Sequence, residues 1–423
     1  MRARQPRHVP GRETGRANPA PLERLARCFG LVLILAATWV EPASAGQSPA
    51  ERGKYLARAG NCISCHTAKG GVPFAGGGRV DTPFGYMLSP NITPDPETGI
   101  GRWTSDDFYR ALHTGVEKNG EDMFPTMPYD FYTRLRRADV DAIYAYLNTL
   151  KPVNNPVDVN HLNFPFNMRW AAGAWREMYF HEGTYVKNPT RSAEWNRGAY
   201  LVEAAGHCSD CHTPRNLLGS IEKGRDLSGA LVDGWFAMNL TSDIVTGLGS
   251  WSEKDVATYL KTGHAPDGTT AQGPMAPVIR DSTSYLTDED LASMAAYLKS
   301  IPPDSTLRTG REAPSPERQR GAQLYTDNCS GCHKSQGRGV KGVFPALIGN
   351  EEVLAANPAN VIQVIDEGIP SGPGHPGMPA FGSRLNAGQV AEIANYVRSN
   401  WGNEAAKNAT PAMVTKLREE NAK

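Results

Sequence analysis

Six cysteines fall into three pentapeptides: Cys62-Ile63-Ser64-Cys65-His66, Cys208-Ser209-Asp210-Cys211-His212 and Cys329-Ser330-Gly331-Cys332-His333. Thiols three residues apart on a helical turn share a face. C-x-x-C-H is the attachment pattern of c-type haem. Both thiols reach vinyl groups on one edge of the macrocycle, and the histidine that follows comes up under the iron as proximal ligand. The spacing therefore predicts three covalently bound haem c, held by Cys62, Cys65, Cys208, Cys211, Cys329 and Cys332, with His66, His212 and His333 on iron. A thioredoxin-like reading of C-x-x-C fails, because a histidine follows in every copy.

Each iron then needs a sixth ligand, and for electron transfer a soft thioether stabilises Fe(II) and raises the potential. Three methionines stand beside proline at comparable distances beyond the motifs: Met127 in Pro125-Thr-Met-Pro128, Met275 in Gly273-Pro-Met-Ala276 and Met378 in Gly377-Met-Pro379. Proline stiffens such a loop and limits loss of the ligand. Met123 is the rival in the first block, and the other methionines read as packing. His113, His161, His181, His207, His264 and His375 are the histidines that could instead complete a bis-histidine site, although a lone histidine is more often an ordinary polar residue. Trp103, Trp251, Asn91, Asn239 and Arg215 are candidates to touch haem propionates or steady a sulfur, with helix-start and core roles as the alternative.

The elements that must position these residues repeat three times. Each block opens on Arg-Gly, as Arg52-Gly53, Arg197-Gly198 and Arg320-Gly321, on a short amphipathic pattern just before the pentapeptide. Each closes on a helix: Asp139 to Leu147, Asp290 to Leu298, and Gln389 to Val397. Thr287-x-x-Asp290 and Asn386-x-x-Gln389 have the capping-box form, and Thr104 and Ser252 start middle helices in the same way. A tyrosine recurs in the closing helices (Tyr146, Tyr297, Tyr396), where it reads as core, with a close approach of its ring to the opening glycines as the alternative. Blocks one and two share Asn91-Ile-Thr93 with Asn239-Leu-Thr241; these fit a glycosylation acceptor but read as turn residues.

The pattern divides the chain into a leader 1–45, a first domain 46–150, an aromatic-rich connection 151–194, a second domain 195–302, a linker 303–316, a third domain 317–402 and a polar tail 403–423. The connection, with Phe164, Phe166, Trp170, Trp175, Tyr179 and Phe180, is too apolar for a free linker and is expected to pack on a domain or a partner. The leader has an Arg-bearing region, an apolar run from Phe29 to Val40 and the small-residue site Ala43-Ser44-Ala45. It reads as a secretory signal peptide cut after Ala45, with an uncleaved anchor as the alternative. The seventh cysteine, Cys28, lies there. Beyond Ala45 the chain holds 37 basic and 41 acidic residues, with none of the clustered basic charge of a nucleic-acid-binding surface. No P-loop, Gly-x-Gly-x-x-Gly, Gly-x-Ser-x-Gly or His-Glu-x-x-His occurs, so no dehydrogenase, hydrolase or metalloprotease site is evident.

These motifs, together with Gly101-x-Trp103, Met127-Pro-Tyr129, Cys211-His-Thr-Pro-Arg-Asn216 and Gly377-Met-Pro-Ala-Phe381, resemble the triheme cytochrome c subunits of bacterial membrane-associated dehydrogenases. Those serving alcohol dehydrogenase, gluconate 2-dehydrogenase and fructose dehydrogenase are the nearest likeness, over about residues 47 to 402. The resemblance implies a mainly α fold of three tandem class I cytochrome c domains, each a few helices around one haem. It implies a flavoprotein or quinoprotein dehydrogenase catalytic subunit as electron donor, and ubiquinone or a downstream cytochrome or oxidase as acceptor. It implies export, with residence at the periplasmic face of the inner membrane. The tail departs from family members that hold the membrane by an amphipathic end: only Met413, Val414 and Leu417 form an apolar side, too little for a strong anchor. Two other readings fit the motifs, a haem oxidoreductase with one open iron position and a stand-alone periplasmic shuttle.

Overall fold

A computed structural model describes residues 47–304, 316–372 and 376–422. The leader with Cys28, most of the 303–316 linker and His375 lie outside the described residues. Three opening helices each pack along a closing helix: Pro49–Ala59 on Arg137–Leu147, Ala193–Tyr200 on Asp288–Lys299, and Pro316–Asn328 on Ala387–Ser399. The opening glycines set how closely. A Cβ on Gly53 would stand 1.8 Å from the Ala142 carbonyl oxygen, one on Gly198 1.8 Å from that of Ser293, and one on Gly321 2.6 Å from that of Glu392. Each carbonyl lies one turn ahead of the closing tyrosine, so the glycine makes room first for backbone and, at Gly198 and Gly321, only then for the start of the tyrosine side chain. The tyrosines themselves join aromatic contacts, Tyr146 with Phe74, Tyr297 with Trp195 and Tyr396 with Tyr325 and Trp401.

The helix starts follow the caps, with one exception. Thr104, Ser252 and Asn386 form complete capping boxes with Asp107, Asp255 and Gln389. Thr287 accepts from the Asp290 N–H, but Asp290 does not return the bond. Its carboxylate is taken by the Arg197 fork at 2.6 and 2.7 Å and by the Tyr55 hydroxyl at 2.5 Å, and that hydroxyl also accepts from the Thr287 N–H at 3.2 Å. The first closing helix repeats this in mirror sense. Tyr200 donates to Asp139 at 2.5 Å and accepts from the Arg136 N–H at 3.2 Å, while Arg52 bonds Asp139. Each opening tyrosine therefore caps the other block's closing helix, and one apolar core runs through both blocks. Gln323 stands at the corresponding place of block three, which builds a separate core.

The opening helix of block two contains one residue more before its first cysteine than that of block one. The extra residue is absorbed as a π turn over Leu201–Ala205, where Gly206 N–H bonds the Leu201 carbonyl at 2.7 Å.

The aromatic connection packs on block one. Asn160–Leu162 adds a strand to the Arg79–Thr82/Gly85–Leu88 hairpin, and helix Arg169–Tyr179 buries Ala172 and Trp175 while Arg169 and Arg176 pair with Glu117 and Asp122. Phe164, Trp170 and Met178 remain exposed. The polar tail contains a helix, Pro411–Asn421, whose Val414 and Leu417 complete the third core. The buried Arg398 guanidinium ties the irregular segment before that helix through the Ala406 carbonyl. No described helix is long and apolar enough to cross a membrane.

Block three docks on block two through amide-to-backbone pairing. The Asn360 side chain bonds both the N–H and C=O of Phe236, at 2.6 and 2.9 Å. Glu351 accepts from Trp251 Nε1 at 2.6 Å and Ser250 Oγ at 2.8 Å, and Glu352 accepts from Asn360 Nδ2. Burial, with Asp267 and Glu351 nearby, pushes the Glu352 carboxyl from 4.5 up to about 7. Folding thus takes up a proton between these values. The associated stability is complete below pH 4.5, falls as pH rises through 7, and is absent above it. Glu352→Gln is expected to stabilise the protein at pH 8 by about 3 kcal/mol, and by nothing at pH 4. Thermal unfolding at the two pH values checks this.

Candidate haem sites

All three motifs form a single helical turn at the end of an opening helix, over Cys62–Cys65, Ser209–His212 and Ser330–His333. Burial pushes the Cys62 and Cys208 thiols up to about 12 and that of Cys329 to about 11; Cys65 and Cys211 shift the same way. Such thiols are not the low-pKa nucleophiles of a dithiol redox site.

The histidines are held alike. His66 Nδ1 meets the Pro90 carbonyl at 2.8 Å, His212 Nδ1 that of Met238 at 2.7 Å, and His333 Nδ1 that of Pro345 at 3.0 Å. A carbonyl can only accept, so Nδ1 carries the proton and Nε2 keeps its lone pair. Among the described residues no hydrogen-bond partner meets Nε2 of any of the three. Burial lowers all three imidazole pKa values, which favours the neutral form that binds metal. The donor set therefore fits haem c: two thiols for thioether bonds and a neutral, fixed imidazole for iron.

Sequence reasoning missed these three carbonyls. In blocks one and two the acceptor immediately precedes Asn91 or Asn239, whose side-chain oxygen accepts from the N–H of Thr93 or Thr241 at 2.9 Å. Both asparagines are buried, so they lock the turn that presents the carbonyl and carry no glycan. The repeated Asn-x-Thr was the available signal.

The methionines stand on stiff backbone. Met127 follows the turn at Phe124, and its carbonyl accepts from Tyr129 N–H at 2.7 Å. Met275 begins the helix Met275–Asp281 rather than lying within a loop. Met378 exchanges both backbone bonds with Ile369, at 2.7 and 2.8 Å, beside Gly377 at φ 76°. Met127, Met275 and the rival Met123 all pack with Cys62 and Cys208 against the shared core, whereas Met378 packs with Cys329 against the third.

Four candidate histidines have other occupations. His113 pairs with Glu182 and stacks on Tyr109, His161 stacks on Tyr86, His181 lies 3.3 Å from Lys223, and His207 packs on Tyr132, while the backbone of His264 bridges to Thr270. Trp251 gives its indole N–H to Glu351, Arg215 is drawn to Asp210 and the Gly219 carbonyl, and Trp103 sits at a helix start, where its carbonyl accepts from Tyr144. Trp251 thus serves the joint between blocks two and three, because Glu351 approaches it from block three.

Comparison with known proteins agrees with this donor set. Residues 50–151 match the family described as cytochrome c, and residues 316–397 that described as cytochrome c oxidase, cbb3-type, subunit III. The chain is 39% identical over 401 residues to an alcohol dehydrogenase (quinone) cytochrome c subunit of Gluconacetobacter polyoxogenes, covering 88% of this chain and 84% of that one. It is 38% identical to the fructose dehydrogenase cytochrome subunit of Gluconobacter japonicus, with 90% and 86% covered. It is also 38% identical to the gluconate 2-dehydrogenase cytochrome c subunit of Pantoea cypripedii, with 88% and 89% covered. A helix-rich chain with cytochrome c domains and residues fit for covalent haem, it belongs to the family of dehydrogenase cytochrome c subunits.

Proposed function

We propose that the chain is a triheme electron-transfer subunit, with tandem cytochrome c domains at 46–150, 195–302 and 317–402 each carrying one haem c. Haem supplies a reversible one-electron Fe(III)/Fe(II) couple. Cys62 and Cys65, Cys208 and Cys211, and Cys329 and Cys332 fix the macrocycles. His66 with Met127, His212 with Met275, and His333 with Met378 would supply the iron ligands. The observation that carries this reading is the threefold histidine bond to a backbone carbonyl, which leaves Nε2 for metal in each block.

Electrons come from a flavin- or quinone-dependent catalytic subunit oxidising an alcohol, sugar or sugar acid, in keeping with the named activities of the relatives. They leave to ubiquinone or a downstream cytochrome or oxidase, at the periplasmic face of the inner membrane. The chain itself has no substrate. Purified holoprotein is expected to show three covalent haems by mass and haemochrome spectrum, and no ready reaction with carbon monoxide or cyanide. Ready binding of either ligand to native protein would identify an open iron and favour an oxidoreductase in its own right. Co-purification with a large flavin or quinone subunit is expected; its absence on gentle isolation would favour a free shuttle.

A further inference from the structure

The first two attachment sites meet where the opening helices cross. A Cβ on Gly60 would stand 3.4 Å from the Ala205 carbonyl oxygen. One on Gly206 would stand 3.8 Å from the Ala59 carbonyl oxygen and 3.6 Å from Cys208 Sγ. Gly60 is two residues before Cys62, and Gly206 two before Cys208. Gly60 and Gly206 thus each face the other block's backbone across ordinary van der Waals distance at the foot of the two motifs.

Two side chains occupy the crossing. Tyr132 is buried, donates its hydroxyl to the Gly60 carbonyl at 2.8 Å, and meets the His207 imidazole edge-on with ring centroids 5.3 Å apart. His207 Nε2 lies 3.4 Å from the same carbonyl, and His207 is bonded directly to Cys208. Its φ of 37° is matched by the 51° of Asn61, the residue before Cys62, so both motifs are entered through a left-handed residue. A bonded route thereby runs from Cys62 through Asn61 to the Gly60 carbonyl, across one polar contact to His207, and on to Cys208. Electron tunnelling decays more slowly along bonds and packed contacts than across empty space.

We propose that Tyr132 and His207, meeting on the Gly60 carbonyl, are positioning residues that couple the haem at Cys62 and Cys65 electronically to the haem at Cys208 and Cys211. The proposal rests on the three-haem reading. One electron crosses, one iron being oxidised as the other is reduced, and no bond of the polypeptide is made or broken.

The test is flash reduction of the loaded protein, following electron redistribution between the first two haems, with Met275→His as the reference that marks the second. His207→Asn, a residue that accepts positive φ, and Tyr132→Leu are expected to slow that phase severalfold. Midpoint potentials and haem content should stay at wild-type values, which a merely structural role would not leave in place. Tyr132→Phe keeps the ring and loses the hydroxyl, and is expected to fall between. Full loading with an unchanged rate in His207→Asn and Tyr132→Leu would overturn the proposal and leave the three-haem reading standing, as would slowing explained wholly by shifted potentials. A wild-type protein without haem at either motif would sink both.

Discussion

Replacing Met127 by histidine is expected to lower the midpoint potential of one haem by a few tenths of a volt, within the roughly 0.8 V that axial ligands span. Histidine is a stronger donor than a thioether and favours Fe(III). The same change at Met123 is expected to leave all three potentials in place. Both sulfurs pack against the first core, so burial does not separate them. The repeat does. Met123 N–H bonds the Gly115 carbonyl at 2.8 Å just as Ala271 N–H bonds the Gly263 carbonyl at 2.8 Å in block two, so Met123 corresponds to an alanine and Met127, four residues on, corresponds to Met275. Met127 stands between Pro125 and Pro128 and just ahead of the fully buried Tyr129, the place that Met378 holds between Gly377 and Pro379 in block three. Redox titration with optical detection checks this, together with loss of the near-infrared band of methionine-ligated ferric haem. A shift in Met123→His with none in Met127→His would reverse the ligand assignment. Met275→His and Met378→His each carry the same expectation for their own haem.

The pentapeptides and the helical turns that bear them were legible because their signals are local. C-x-x-C-H is five residues long, and the caps at Thr104, Ser252 and Asn386 are read from four. What stayed hidden depends on contacts far apart in sequence or on backbone atoms. Tyr55 and Asp290 are 235 residues apart, and nothing near Tyr55 distinguishes a capping hydroxyl from a core ring. The carbonyls of Pro90, Met238 and Pro345 carry no side-chain signature, although they fix all three histidines. The extra residue ahead of Cys208 was countable, but a count does not say whether a helix loops out or takes a π turn. Composition alone marked the tail as polar; Val414 and Leu417 show that two residues on one helical face suffice to close a small core.

Asp290→Ala is expected to cost about 3–5 kcal/mol of stability, the range found when one partner of a buried ion pair is removed. Burial alone would raise this carboxyl, but the Arg197 fork bonded to it and the Tyr55 hydroxyl hold it below the usual carboxylate range. Its contribution is therefore present above the ordinary aspartate pKa and is lost as pH falls through the lowered one, so the difference between wild type and variant should shrink only in strong acid. The Asp290 side chain is 13% exposed and that of Arg197 33%, so the guanidinium regains some water and the cost falls at the low end of that range. The loss also strips the Tyr55 hydroxyl of its acceptor, so blocks one and two loosen together. Tyr55→Phe isolates that second effect and is expected to cost about 1.5–3 kcal/mol, as for a hydrogen bond to a charged group. Combined with Asp290→Asn, it should show a coupling of about 0.5–3 kcal/mol by denaturant unfolding. Strict additivity would mean that the crossed cap contributes nothing and that the shared apolar core alone joins the two blocks. Coupling in that cycle, matched by coupling between Tyr200→Phe and Asp139→Asn, would make the first two blocks one folding unit. The distance and orientation of their attachment sites would then be fixed by the fold itself rather than by a partner.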